Sequence, residues 1–332
     1  MLVRIAIPGV YAELCTTIYR ARWDTDTVPF PKHIDNTIRE AFVVCPVKAR
    51  RAYIEDLAPI QHSVHLHAGG AFAAGLEAAR RAFYERGLPP AEALALGDAA
   101  LVAFYGDFEP PSMSDKTLPN MREALHYYFE CWPLESDTLQ PKHIEWRFQH
   151  PIPDVTHPDD QGPIYYVGRS DAPGLLAGEY TIEDDKTASS LGSTWMNQWD
   201  LDSQGTGYVW AAQQEGHMAL DSSGPVLFRG VSILKPKFDK AGIYLRAASF
   251  GHAQVLTYRP PWVVQRWLGQ LIRDVRRMVY AYLNNEWDYA LHKNACAAYG
   301  GCPFKDLCLS QEPEAWIPVN YTKRKWNPLS IT

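Results

Sequence analysis

The longest regular patterning lies in "PPWVVQRWLGQLIRDVRRMVYAYLNN" (260–285), where Val264, Trp267, Leu268, Leu271, Val275, Met278, Val279 and Tyr282 recur at three- and four-residue intervals. That spacing draws one apolar stripe along a helix. The same period appears in "NTIREAFVVCPVKARRAYIEDL" (36–57), with Asn36 as cap candidate and Pro46 at a kink or helix junction. It appears again in "VHLHAGGAFAAGLEAARRAFYERG" (64–87), closing at Gly87, and in "PPAEALALGDAALVAFYGDF" (89–108), opening on two prolines. From about 140 the texture changes. The stretches "KHIEWRFQHPIP", "GPIYYVGRSDAPG" and "GEYTIEDDKTAS" are short, aromatic or β-branched, and divided by Gly, Pro and Asp, which predicts an antiparallel meander. "SQGTGYVWAAQQEGHMAL" returns to a helix, and "PVLFRGVSILK" and "GIYLRAASFGHAQVLTY" predict two further strands. There is no internal repeat and no low-complexity linker. The order predicts one α/β domain: a helical part over 36–135, a strand-rich core over 140–260, and the long helix with a cysteine loop over 261–310.

With 332 residues, 46% hydrophobic, the chain can bury a substantial core. A net charge of −6 does not mark a polyanion binder as a whole. Locally the balance differs: 229–277 holds Arg229, Lys235, Lys237, Lys240, Arg246, Arg259, Arg266, Arg273, Arg276 and Arg277 against only Asp239 and Asp274. Arg266, Arg273 and Arg277 fall on one side of the long helix, in the pattern of sequence-independent DNA phosphate contacts. The opening "MLVRIAIPGVYAELCTT" is interrupted by Arg4, Pro8 and Glu13, and no stretch reaches the ~18 apolar residues of a membrane span. A cytoplasmic protein, in a bacterium or a phage-infected cell, is expected, with no membrane partner. Six cysteines are too few for a disulfide scaffold in a chain this long, so clustered ones call for metal or chemistry.

The stretch 178–190 places "EDDK" inside a strand, where acidic residues are disfavoured. Alternation sends Ile182, Asp184 and Lys186 to one face and Glu183 and Asp185 to the other. Asp171, at the end of the preceding strand, is in reach of the same place. Two carboxylates meeting at sheet ends form a hard oxygen site suited to Mg2+ or Mn2+. A lysine beside them can hold a water or stabilise developing charge in phosphodiester hydrolysis. The plainer reading is a solvated charge pair on an edge strand.

Gln204 and Tyr208, four apart, share a face of the following helix. The series "GRSD", "EDDK" and Gln-x-x-x-Tyr resembles the PD-(D/E)XK nuclease superfamily, in its RecB-like branch, over about 36–309. The resemblance implies an α/β fold with a restriction-endonuclease-like core, a mixed β-sheet flanked by helices. It implies Asp171 and Asp184 as metal ligands with the backbone carbonyl of Asp185, Lys186 as catalytic lysine, and Gln204 and Tyr208 as substrate-positioning residues.

"NACAAYGGCPFKDLCLS" supplies Cys296, Cys302 and Cys308, without the paired Cys-x-x-Cys knuckles usual for zinc. Cys45, in "VVCPVKARRAY", is the candidate fourth ligand. Iron-sulfur nucleases of the phage and CRISPR-adaptation types share this one-plus-three arrangement, which implies a 4Fe-4S cluster joining the helical N- and C-terminal parts. Zinc and reduced thiols remain the alternatives. Cys15 and Cys131 fit no pattern and read as small buried hydrophobes.

The resemblance breaks at Ala73, where the branch carries a histidine on the first helix. Glu77 and His67 are the candidates to replace it, with His62 and His65 nearby, and Glu145 in "HIEWRF" is a further candidate carboxylate. The expected activity is a deoxyribonuclease, chiefly an exonuclease on single strands or duplex ends in phage or bacterial DNA processing, recombination or repair. The alternative is a catalytically weakened DNA-binding protein of the same fold. No ATP-binding loop occurs, so unwinding would need a helicase or recombination partner.

Overall fold

The computed structural model describes residues 28–61, 63–112, 114–234, 237–238, 244–246, 248–290, 293–297 and 301–329. Cys15 and His62, and the side chains of Lys235, Lys237, Lys240 and Arg246, lie outside that set. The chain opens with β1 (His33–Ile34), α1 (Asn36–Val44), α2 (Pro46–Ala49) and β2 (Leu57–Pro59). Pro46 is indeed a junction. The cap is Asp35 rather than Asn36: its Oδ1 accepts from the Ile38 N–H at 2.8 Å, while the Asn36 amide reaches Glu40. Three longer helices follow: α3 (Val64–Arg80), α4 (Pro90–Tyr105) and α5 (Leu118–Cys131). The period does not single out α5, although Met121, Ala124, Leu125, Tyr128 and Phe129 form its buried face.

The remaining elements are β3 (Leu139–Pro141), β4 (Trp146–Thr156), β5 (Pro163–Ser170), β6 (Gly174–Leu176), β7 (Glu179–Ala188), α6 (Ser193–Asn197), α7 (Ser203–Gln214), β8 (Gly224–Leu234), β9 (Lys237–Phe238), β10 (Tyr244–Arg246), β11 (Ser249–Arg259), α8 (Pro261–Asn284), α9 (Lys293–Cys296), α10 (Lys305–Leu309), α11 (Pro313–Asn320) and β12 (Tyr321–Lys323). Strands β11, β8, β7, β6 and β3 form one sheet in that order, and β1, β5 and β4 form another. The two meet where Ser170 Oγ donates to the Glu183 carbonyl at 2.8 Å. The predicted meander holds for β4–β5 but breaks before β7, which lies in the other sheet beside β6; β7 and β8 run parallel, with α7 in the crossover between them. A parallel pair needs such a crossover, and a run of buried residues along β8 accompanies it.

Strand β8 separates two cores. Val226 and Phe228 face the cluster that includes Val209 and Ala212 of α7 and Trp267 and Leu271 of α8. Val231 and Ile233 face the cluster built from α3, α4 and α5. The chain is thus a mixed α/β protein with several sheets flanked by helices. Among the described residues no helix is long and apolar enough to cross a membrane.

Candidate active site

The alternation of β7 divides its charges. On the α7 side Lys186 Nζ pairs with Asp184 Oδ2 and donates to Gln204 Oε1 at 3.2 Å. Gln204 Nε2 donates to the Tyr208 hydroxyl at 2.7 Å, and that hydroxyl donates to the Arg169 carbonyl at 2.6 Å. One hydrogen-bonded line therefore joins β7, α7 and the end of β5. Burial works against the Lys186 charge, but Asp184 and Asp171 outweigh it and hold the ammonium above the ordinary lysine range.

Asp171 follows β5, and its Oδ2 accepts from the Asp185 N–H at 2.6 Å. Burial raises its proton affinity well above that of a free carboxyl, and Asp184, Asp185 and Glu145 add to the effect. Burial likewise raises Asp184, against the pull of Lys186. Glu145 sits just before β4 in the left-handed region, with φ of 56°, and its N–H donates to the Asp171 carbonyl at 2.7 Å. Burial pushes its carboxyl up to about 7, opposed by Arg169, whose Nε lies 2.6 Å from Oε2. Carboxylates outnumber the cations here.

A pocket of about 380 Å³ opens beside these groups; its other wall is α3, presenting His65, Gly69, Ala73 and Arg80. Asp171, Glu145, Lys186 and Thr187 lie on the sheet side. Ala73 brings no donor to this wall. His67 does not replace it: its Nε2 meets the Tyr105 carbonyl at 3.0 Å and its ring stacks on Phe108, 4.1 Å between centroids. Glu77 is near enough to raise Glu145, but its own carboxylate is held by Arg81 at 2.9 Å. The imidazole on the pocket wall is the exposed His65.

The other face of β7, which α3 covers, carries an ion network that reaches the pocket through Arg80 and Asp185. Arg80 Nη1 lies 2.6 Å from Asp185 Oδ2, and its Nη2 lies 3.1 Å from Glu183 Oε2. Tyr128 donates to Asp185 Oδ1 at 2.7 Å. Arg229 pairs with Glu183 at 2.9 Å and donates twice to Asp137 at 2.6 Å. The Asp185 carboxylate is therefore held by Arg80 and Tyr128, while its N–H donates to Asp171. Only long-range contacts bring Arg80, Asp137 and Arg229 together, so no local period reveals them.

Cys45, at the α1–α2 junction, and the loop carrying Cys296, Cys302 and Cys308 come together. Burial raises the Cys302 and Cys308 thiols, and each is raised further by Cys45 and Cys296. Lys48 opposes this at Cys302, as Arg51 does at Cys308. The Cys302 N–H donates to the Cys296 carbonyl at 3.0 Å, and β12 pairs with β2 beside them. Four soft sulfur donors flanked by two cations suit an iron-sulfur cluster or zinc in their chemistry. Among the described residues, however, no three Cys, His, Asp or Glu side chains are already closed around one point. Cys131 stands apart, half-buried against the helical core.

Of the expected basic patch, Arg266, Arg273 and Arg277 are exposed on α8, as their spacing requires. Arg229 and Arg259 are not surface groups. Both are fully buried, the first in the ion network and the second bonded to Thr206, Thr257 and the Trp199 carbonyl.

No family model matches the chain, and no curated protein sequence does. Among solved structures, one described as the crystal structure of SSO0001 superposes with a TM-score of 0.34 and 12% identity, over 92% of this chain and 99% of that one. A likeness that slight carries neither fold nor function.

Proposed function

We propose that the chain is a Mg2+- or Mn2+-dependent deoxyribonuclease of the RecB-like PD-(D/E)XK type, working as an exonuclease in bacterial or phage DNA processing. The observation that carries the reading is the continuous set of contacts from Asp184 through Lys186 and Gln204 to Tyr208, which reaches a pocket lined by Lys186 and Asp171. The succession of α3, β4, β5, β7, α7 and β8, with β7 parallel to β8, supports a restriction-endonuclease-like core.

Asp171 and Asp184, with the backbone carbonyl of Asp185, would hold the cation. They fit it in their chemistry, because burial raises both carboxyls and Asp184 adds to the rise at Asp171, a cost that a divalent ion relieves. Such an ion polarises a phosphoryl oxygen and makes a water more acidic. Lys186, kept protonated by the two aspartates, orients the attacking water and offsets charge developing on the phosphate. Gln204 and Tyr208 fix the direction of the ammonium. A 4Fe-4S cluster on Cys45, Cys296, Cys302 and Cys308 would staple the α1–α2 junction to the C-terminal loop; brown colour with broad absorbance separates it from colourless zinc.

The test is digestion of end-labelled single- and double-stranded DNA by anaerobically purified protein with Mn2+ or Mg2+. Cleavage absent from Lys186→Ala and Asp184→Ala supports the reading. Wild-type protein that binds DNA and leaves it intact sinks it in favour of a DNA-binding protein working with a helicase. That second reading is favoured by Ala73, which brings no donor of its own, and by the diverted His67.

A further inference from the structure

We propose that the exposed side of α8 is a track for single-stranded DNA. The choice of DNA rests on the deoxyribonuclease reading; the preference for a single strand rests on the helix itself. Within Pro261–Asn284 the one acidic residue, Asp274, is 1% exposed, ion-paired to Arg39 at 2.9 Å and bonded to Gln270. The solvent side is thus positive without an anion of its own. Arg266, Arg273 and Arg277 lie along it.

Two large aromatics mark the ends of this row. Trp262 is 56% exposed and Tyr280 is 58% exposed. The spacing from Trp262 through the three arginines to Tyr280 runs in steps of four, seven, four and three residues, which keeps all five on one side. At 1.5 Å per residue the row spans about 27 Å, several nucleotides. The Arg266 guanidinium lies over the Trp262 ring, 4.9 Å from its centroid. The Tyr280 hydroxyl bonds to Glu286, so its ring remains available for stacking. Arginines grip phosphates of any nucleic acid, but exposed rings need unstacked bases, which a duplex does not offer.

The buried side of the same helix touches the lysine line. Trp267 Nε1 donates to Ser203 Oγ at 3.0 Å, and the next residue is Gln204, which holds Lys186.

Fluorescence anisotropy of the full chain in EDTA, where nothing is cut, measures this with an oligothymidine, a duplex and an oligouridine. Trp262→Ala should weaken oligothymidine binding by about 5- to 150-fold and leave duplex binding unchanged. The triple variant Arg266→Gln, Arg273→Gln, Arg277→Gln should reduce the slope of log K against log salt by about 2, at ~0.7 per phosphate contact. All four side chains are exposed, and circular dichroism checks that the variants fold. Equal losses on duplex and single strand, or no loss, overturn the track. Tighter binding of oligouridine overturns the choice of DNA. Wild-type protein that binds oligothymidine in EDTA but cuts nothing with Mn2+ sinks the nuclease reading alone, so a failed track and a failed nuclease reading give different results.

Discussion

Replacing Arg80 with methionine keeps the aliphatic stem and removes the cation behind the acidic strand. Arg80 is 4% exposed and lies 2.6 Å from Asp185 and 3.1 Å from Glu183, while its Nη2 donates to Tyr128 at 2.7 Å. The variant leaves Glu183 fully buried with Arg229 as its remaining cation, and Asp185 with the Tyr128 hydroxyl. Removing one partner of a buried pair costs about 3–5 kcal/mol. Burial already pushes the Glu183 carboxyl up to about 7 against the pull of Arg80, and losing Arg80 moves it higher. A carboxyl raised above its unfolded value of 4.5 adds stability below that pH and loses it as pH rises through the folded value. The Arg80→Met deficit should therefore be fullest near pH 8 and shrink towards about pH 5, where the carboxyl is protonated and needs no cation. At about 2 °C per kcal/mol the melting temperature should fall by about 6–10 °C at pH 8. Thermal and urea unfolding of both proteins in EDTA from pH 5 to 8 measures this. A deficit under about 1 kcal/mol, or one that does not change with pH, refutes the claim that charge pairing holds this strand.

Tyr208→Phe strips a buried hydroxyl from between Gln204 and the Arg169 carbonyl; urea unfolding should show a loss of about 1–3 kcal/mol, and nuclease assays a turnover defect larger than any change in DNA affinity. Cys45→Ser, purified anaerobically, should lack the broad visible absorbance of the wild type and melt at lower temperature. Gly97→Ala drives a Cβ to 2.7 Å from the Gly75 carbonyl and 2.9 Å from Ala79 Cβ, where α3 and α4 cross. It should cost about 1–3 kcal/mol by calorimetry, and because α3 is a wall of the pocket, Mn2+ affinity should fall with it.

What the sequence discloses, and what it hides, follows from range. Helix α8 is legible because its apolar stripe is local and long, and its predicted extent matches Pro261–Asn284 closely. The meeting of Asp184, Lys186, Gln204 and Tyr208 is legible because strand alternation and a four-residue helical step each fix a face. Their partners across the sheet are not. Arg80 and Asp185 are 105 positions apart, and Arg229 and Asp137 are 92 apart. Counted by sequence, Arg229 and Arg259 look like surface charge; only the fold shows their acids and carbonyls. The parallel direction of β7–β8 is hidden for the same reason, since pairing direction is a property of the connection. His67 is diverted by the aromatic ring of Phe108, which sequence spacing does not place.

The strand "EDDK" is stable because its two faces are compensated differently. Behind β7, Glu183 and Asp185 meet Arg80 and Arg229, with Tyr128 and Asp137 completing the bonds, so buried charge is paired there. In front, Asp184 and Asp171 share the one ammonium of Lys186, and both carboxyls are raised. Charge left short of cations in a half-open pocket is a cost that folding alone does not remove, and a bound divalent ion would. Asp185 links the faces: its side chain is fixed from behind by Arg80, and its N–H donates to Asp171 in front. The rear ion network thereby sets the position of the front carboxylate. A change at Arg80, which lines the same pocket, should then reach the site by moving Asp171.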